Sequence, residues 1–182
     1  LLSVVPWWKF NSLLVIDGDM FPIANIYKPL DSESNVFRGI KQNRKLFNRS
    51  VDYFWNGYFW IHNSCPFHHL LNFNCGLVAK INTDAGGETS YFLKALTHFG
   101  YPISYADHLS SGSWGDLDIA NLDVSEALRI FIRSDTRNDR HGRFFSEIYD
   151  RVFFHYRAGG NWMKNNVLDE ENRREALRKS LE

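Results

Sequence analysis

The sequence has few of the features that mark secreted, membrane-spanning or nucleic-acid-binding proteins. Its only cysteines, Cys65 and Cys75, are too few for a disulfide framework and lack C-x-x-C spacing, so we expect free thiols in a reducing compartment. The formal net charge is zero, so no basic field argues for nucleic acid and we expect no nucleic-acid partner; no polybasic tract argues for an anionic membrane surface. No run of about eighteen apolar residues predicts a transmembrane helix, and no signal peptide is visible. We therefore expect a cytoplasmic protein, in a host cell if the source is viral.

What the chain does contain is typical of one globular domain. Its 182 residues are 44% hydrophobic and 23% charged, which suits a substantial core rather than disorder. Aromatic residues reach 16%, with many between Tyr53 and Trp60, where they form either core or a stacking surface for a sugar or a base. We expect one α/β domain with a mixed sheet.

An acidic pair follows the first apolar run. Leu13 to Ile16 predict a buried strand, and Asp17, Gly18 and Asp19 come directly after it. Ionised acids at the carboxyl edge of an α/β sheet commonly face a ligand or a cation, and carboxylate oxygens suit Mg²⁺ or Mn²⁺. The alternative is an ordinary turn, because Asp-Gly is also a turn signal.

A second strand is predicted from Val51 to Ile61, which is rich in aromatic and β-branched residues. Asn56 and Gly57 interrupt it and indicate either a hairpin turn or a bulge where a ligand approaches the backbone. Shortly before it, Lys41 to Arg49 form a basic loop or short helix, either a solvated surface or a contact with a diphosphate.

A glycine pair precedes a predicted helix from Glu88 to Phe99. Tyr91, Phe92, Ala95, Leu96 and Phe99 recur at helical spacing and are expected in the core. The backbone amides of Gly86 and Gly87 would form an anion site at the helix start. Asp84 either caps this helix or points into a binding site.

Towards the C-terminus, residues 123 to 133 allow either a helix or a strand. His155 follows an apolar run and is itself followed by Gly159 and Gly160, which would let the backbone wrap an anion; the alternative is a packed core histidine. Asp169 to Glu182 predict a charged helix with apolar residues only at Leu177 and Leu181, packed lightly on the surface or against a missing neighbour.

Four segments in this order resemble glycosyltransferases of the GT-A fold, the nucleotide-diphospho-sugar transferases. They are D-G-D-M-F-P, Y-F-W-N-G, D-A-G-G and F-H-Y-R-A-G-G-N-W, spanning Leu13 to Trp162. The set is similar to poorly characterised glycosyltransferase-like proteins of viruses and bacteria. The resemblance implies a catalytic domain over residues 1–168 with a mixed sheet flanked by helices, followed by the charged helix over 169–182.

The resemblance also implies roles for individual residues. Asp19 and Asp17, completed by His155, would hold Mn²⁺ or Mg²⁺ bridging the diphosphate of a nucleotide-sugar donor. Asp84 would be the base. The donor would be contacted by residues from all four segments: Asp17, Trp55, Asn56, Gly57, Gly86, Gly87, Arg157, Gly159, Gly160, Asn161 and Trp162.

The chain departs from the GT-A pattern at its beginning. Only sixteen residues precede Asp17, so the N-terminal βαβ part of that fold is expected to be missing from this sequence or cut down. Two other functions remain open. One is a non-catalytic carbohydrate-binding or assembly module of the same fold, and the other is a metal-dependent phosphohydrolase using Asp17, Asp19 and His155. The sugar, nucleotide and acceptor are not specified by the sequence.

Overall fold

The structure is a computed structural model, and it describes residues 9–26, 35–110, 119–135, 146–156 and 167–181. These residues form a mixed α/β fold dominated by β-sheets. The strands are β1 (Ser12–Ile16), β2 (Met20–Pro22), β3 (Phe37–Leu46), β4 (Arg49–His62), β5 (Leu77–Val78), β6 (Ile81–Asn82), β7 (Ile103–Tyr105), β8 (His108–Ser110), β9 (Ser146–Tyr149) and β10 (Phe153–Tyr156). The helices are α1 (Thr89–His98), α2 (Glu126–Ser134) and α3 (Val167–Leu181), with a short 3₁₀ helix at His68–Leu70. No helix in this part of the chain is long and apolar enough to cross a membrane.

By its internal contacts the chain divides into two compact units. The first contains the described residues up to Asp17 and those from 35 to Ala106. The second contains residues 18–26 and the described residues from Asp107 onward. Each unit has a hydrophobic cluster of its own.

The first unit is built on a four-stranded sheet in the order β1-β4-β3-β7. The β3–β7 pair is parallel, and the other two pairs are antiparallel. Strand β1 follows the predicted apolar run, but it lies at the edge of the sheet and its side chains are only half-buried. The expectation of a buried strand was therefore wrong, because β1 has a neighbouring strand on only one side within the part of the chain that the structure describes.

Strands β3 and β4 form a long hairpin, and β4 confirms the strand that was predicted from Val51 to Ile61. β3 also continues through the basic residues to Leu46, so the predicted loop or short helix there was wrong. Gly39 pairs with Phe59, and Lys41 pairs with Phe54. Between these two pairs the chain advances by two residues in β3 and by five residues in β4. β4 therefore carries a bulge of three extra residues around Asn56 and Gly57, one of the two alternatives that the sequence left open.

Helix α1 packs beside this sheet, but only part of the face that its helical spacing predicted for the core is buried. Phe92 and Leu96 are fully buried and meet Phe37, Phe54 and other aromatic rings in the core. Tyr91 and Phe99 are instead 52% and 63% exposed. The buried stripe of α1 is thus narrower than the apolar stripe in the sequence.

The second unit is an antiparallel sheet in the order β2-β10-β9-β8, accompanied by α2 and α3. Ser125 caps α2 by accepting a hydrogen bond from the amide of Leu128, and its hydroxyl donates to the carbonyl of Ser180 in α3. Leu177 of α3 is buried in the same cluster as Phe131 and Phe154. The expectation of light packing was therefore wrong, since Leu177, with the partly buried Leu181 beside it, anchors this otherwise charged helix in the core.

Candidate metal-binding site

Asp19 and His155, predicted to meet although 136 positions apart in the sequence, do meet within the second unit. Strand β2 begins directly after Asp19 and pairs with β10, which places Met20 opposite His155. The amide of Tyr156 donates to the carbonyl of Asp19 at 3.1 Å and fixes the backbone there. The Nε2 atom of His155 lies 3.1 Å from Oδ1 of Asp19.

The other ring nitrogen of His155 is occupied by Glu147. In the β9–β10 hairpin these two residues are direct cross-strand partners, so their side chains share one face of the sheet. Nδ1 of His155 lies 2.9 Å from Oε2 of Glu147, and both side chains are almost wholly buried. This contact fixes the rotation of the imidazole ring and directs Nε2 at Asp19.

Glu147 is in turn held by two neighbours. The hydroxyl of Tyr149 donates to Oε2 of Glu147 at 2.9 Å, and Nε2 of His108 in β8 lies 3.3 Å from Oε1. The rings of His108 and Tyr149 stack with their centroids 5.0 Å apart. A buried carboxylate is costly unless it is paired and hydrogen-bonded, and here both of its oxygens have partners.

The charges in this network are coupled. Burial opposes protonation of His155, but hydrogen bonds and charge from Asp19 and Glu147 outweigh it and raise the pKa of the imidazole above 6.5. Burial likewise opposes ionisation of Glu147, yet His108 and His155 lower the pKa of its carboxyl below the ordinary value. Its two acidic neighbours therefore stabilise the protonated form of the imidazole relative to the neutral form.

The same geometry suits a divalent cation. Two ligand atoms about 2.1–2.2 Å from a metal and at right angles to each other lie about 3.0 Å apart, close to the observed Nε2–Oδ1 distance. A metal-bound histidine usually donates its other N–H to a carboxylate or carbonyl, which is the role that Glu147 could fill. Oxygen and imidazole ligands suit Mn²⁺ and, with more oxygens, Mg²⁺.

Asp17, the third predicted ligand, belongs to the first unit and is the last residue of that unit's first segment. It follows β1 as predicted, and its amide donates to the carbonyl of Gly57 at 2.7 Å. Its carboxylate is exposed. Its part in holding a cation stays a prediction.

A cavity of about 610 Å³ adjoins Asp19 in the second unit. Two cationic side chains of α3, Arg174 and Arg178, line it together with the rings of Phe21 and Tyr156 and two leucines of α3. Arg178 also pairs with Glu175 on the same helix, with nitrogen–oxygen distances of 2.9 and 3.0 Å. An acid, two guanidinium groups and apolar walls suit a ligand with both an anionic and an apolar part.

Asp84, the predicted base, belongs to the first unit and is engaged there in an ion pair. Its carboxylate accepts hydrogen bonds from Arg44 and from the hydroxyl of Tyr53, each at 2.5 Å. Burial tends to raise the pKa of this carboxyl, but the bonds from Tyr53 and Arg44 outweigh it and lower the pKa. A carboxylate stabilised in its ionised form is a weaker base than a free one.

The glycines before α1 allow the backbone to pack closely against neighbouring residues. Gly86 has a φ of 98°, and a Cβ there would lie 2.1 Å from the carbonyl oxygen of Phe54. The amides from Gly86 to Ser90 all donate to backbone carbonyls, Gly87 to that of Asp84. This hydrogen bonding removes the basis on which an anion site was predicted at the start of the helix.

The three residues predicted to line a sugar pocket lie on the β4 bulge. Trp55 is half-buried, Asn56 is exposed and Gly57 is buried. A Cβ at Gly57 would lie 2.2 Å from the indole of Trp55, so this glycine makes room for the ring. Contact with a sugar stays a prediction for all three. The remaining predicted contacts lie outside the described residues: Arg157, Gly159, Gly160, Asn161 and Trp162.

Sequence reasoning missed Glu147, His108, Arg174 and Arg178. A usable signal existed for Glu147, which is an acid inside a short run of apolar and aromatic residues ending at Tyr149. Period-two alternation would have placed Glu147 and Tyr149 on one face. The arginines carried no comparable signal within a helix rich in both charges.

Comparison of the chain with protein-family models, with curated proteins and with solved structures found no match.

Proposed function

We propose that this protein is a metal-dependent glycosyltransferase that transfers a sugar from a nucleotide-diphosphate donor. The observation that carries the proposal is the convergence of Asp19 and the carboxylate-oriented His155 beside a cavity with two arginines. This combination supplies cation ligands and anion contacts in one place. A nucleoside diphosphate bound through Mn²⁺ needs both.

The residues would divide the work as follows. Asp19 and His155 would hold the cation, which when bound acts as a Lewis acid on the departing diphosphate. Arg174 and Arg178 would contact phosphate oxygens, and the rings of Phe21 and Tyr156 would pack against the apolar part of the donor. Glu147 would keep the imidazole of His155 oriented.

Calorimetry of nucleoside diphosphates with and without Mn²⁺ tests the proposal. We expect binding that depends on Mn²⁺ and that is lost in Asp19→Asn, which keeps the shape of the side chain but removes its charge. The matched control is Asp123→Asn, an exposed acid of the same unit. Equal Mn²⁺-dependent affinity in the Asp19→Asn variant and in the unaltered protein would reject the metal assignment.

A second candidate is a carbohydrate-binding module without transfer activity. The ion pair of Asp84 with Arg44 favours it, because the lowered pKa makes this carboxylate a weak base and its two oxygens already accept hydrogen bonds from Arg44 and Tyr53. The two candidates differ in one measurement. A transferase releases nucleoside diphosphate from a sugar nucleotide in the presence of Mn²⁺ and an acceptor, whereas a binding module retains the donor intact.

A further inference from the structure

The tip of the β3–β4 hairpin exposes apolar side chains to an unusual degree. Leu46 and Arg49 are the last paired residues, so that Phe47 and Asn48 form the turn. The side chain of Phe47 is 97% exposed, and that of Leu46 is 44% exposed. No other large hydrophobic residue in the described part of the chain is as exposed as Phe47.

The backbone conformation at the tip is a second reason why phenylalanine is energetically unfavourable there. Phe47 has a φ of 53°, a left-handed conformation that glycine and asparagine adopt readily and that is strained for a bulky side chain. The ring gains no burial in return, because it projects into solvent. A residue that is both strained in its backbone and exposed in its side chain in the free protein indicates a partner that covers it.

Cationic side chains stand directly behind this ring. Lys45 is the last residue but one of β3 and Arg49 is the first residue of β4, and neither forms an ion pair with any residue that the structure describes. The next two cations of β3 are neutralised, Arg44 by Asp84 and Lys41 by Asp52. The end of the hairpin is therefore apolar at its tip and positively charged just behind it.

We propose that this hairpin tip is a membrane anchor that inserts Phe47 and Leu46 into the interface of an anionic phospholipid bilayer. A protruding turn with two apolar side chains is too small for a stable protein interface, which needs about 800 Å² from each partner. A bilayer accepts a single protruding ring, because lipids rearrange around it. Lys45 and Arg49 would then lie at the level of the anionic headgroups.

This inference is independent of the metal site, since it rests on the first unit alone. It adds a location for the chemistry: a protein held at a bilayer surface meets acceptors that are themselves attached to lipid or exposed at the membrane. Its failure would leave the proposed function untouched, because the tests of Asp19 use protein in solution.

Co-sedimentation of the full chain with vesicles tests the proposal. One set is phosphatidylcholine alone, and the other contains about 30% phosphatidylserine. We expect binding to the anionic vesicles that weakens with added salt, and little binding to the neutral ones. Lys45→Gln and Arg49→Gln should each lower the partition coefficient about fivefold.

Phe47→Gly is the decisive variant. Glycine tolerates the left-handed conformation, so the thermal midpoint should not fall, while partition into anionic vesicles should drop at least about tenfold through loss of the ring. Leu77→Ser, at an exposed leucine elsewhere in the first unit, is the matched control and should bind like the unaltered protein.

Three results would overturn the membrane anchor. The first is a failure of the unaltered chain to bind anionic vesicles. The second is equal partition of the Phe47→Gly variant and the unaltered protein. The third is self-association that disappears in the Phe47→Gly variant without vesicle binding, which would assign the tip to a contact between copies of the chain.

Discussion

His155 and Glu147 face each other across one antiparallel hairpin, with Nδ1 and Oε2 2.9 Å apart and both side chains buried. This pairing leaves the other ring nitrogen directed at Asp19. Orientation by a buried carboxylate is what a metal-binding imidazole needs, and the hairpin supplies it through strand register alone.

The first prediction concerns this orientation. Glu147→Gln should weaken Mn²⁺ binding about 10- to 100-fold while the chain stays folded, because glutamine preserves the shape but loses the charge that steadies the imidazole. Calorimetric titration with Mn²⁺ measures the affinity, and circular dichroism checks the fold. Tyr149→Phe, which removes only one hydrogen bond to the same carboxylate, should have a smaller effect. Identical affinities in all three proteins would show that Glu147 does not position the ligand.

The second prediction concerns pH. A metal ion must displace the proton of His155, whose pKa is raised because Asp19 and Glu147 outweigh the effect of burial. Mn²⁺ affinity should therefore increase with pH through the range in which His155 loses its proton, above the ordinary value of 6.5. Titrations between about pH 5.5 and 8.5 would measure this. An affinity that is flat across this range would mean that His155 is not a ligand.

The third prediction concerns acid stability of the first unit. The pKa of Asp84 is lowered in the folded state, so its contribution is present above pH 3.8 and is lost as the pH falls through the lower folded value. Asp84→Asn should remove this pH dependence. Because the carboxylate is nearly half-exposed, the loss at neutral pH should stay below about 1 kcal/mol. Urea unfolding between about pH 2 and 6 measures the difference, and parallel curves for the two proteins would contradict it.

The fourth prediction separates two reasons for glycine before α1. Gly86→Ala should lower the free energy of unfolding by more than about 2 kcal/mol, because the Cβ would meet the carbonyl of Phe54 in addition to the strain of a positive φ. Gly100→Ala is the matched control, with a φ of 71° and no atom near its Cβ, and should cost only about 1 kcal/mol. Equal losses in the two variants would mean that the contact with Phe54 relaxes away.

The local sequence pattern was sufficient for elements whose own residues determine their secondary structure. The aromatic run predicted β4, helical spacing predicted α1, and the acids after the first apolar run were placed correctly at the end of β1. It was insufficient where the structure depends on which strands pair and in which register. Asp150 and Arg151 turn the β9–β10 hairpin with φ of 53° and 57°, so no glycine marked that turn.

Without that turn, the partner of His155 could not be found, because the register that brings Glu147 opposite it depends on the loop length. The basic residues of the β3–β4 hairpin show a similar limit. Their sequence predicted either a solvated loop or a diphosphate contact. In the structure Asp52 of β4 neutralises Lys41 and Asp84, outside the hairpin, neutralises Arg44, whereas Lys45 and Arg49 lie beside an exposed ring.

The bulge in β4 also determines which changes of chain length the first unit tolerates. Side chains alternate between the two faces of a strand, and three extra residues reverse that alternation. Phe54 and Phe59 reach the same core for this reason, although five positions separate them. Deleting a single residue within the bulge would leave four steps between the two rings, so that alternation alone would keep both on the core face. Deleting a single residue from a regular part of β4 would instead turn the side chains beyond it to the opposite face. The bulge is therefore the place where this strand can lose one residue and keep its core side chains in the core.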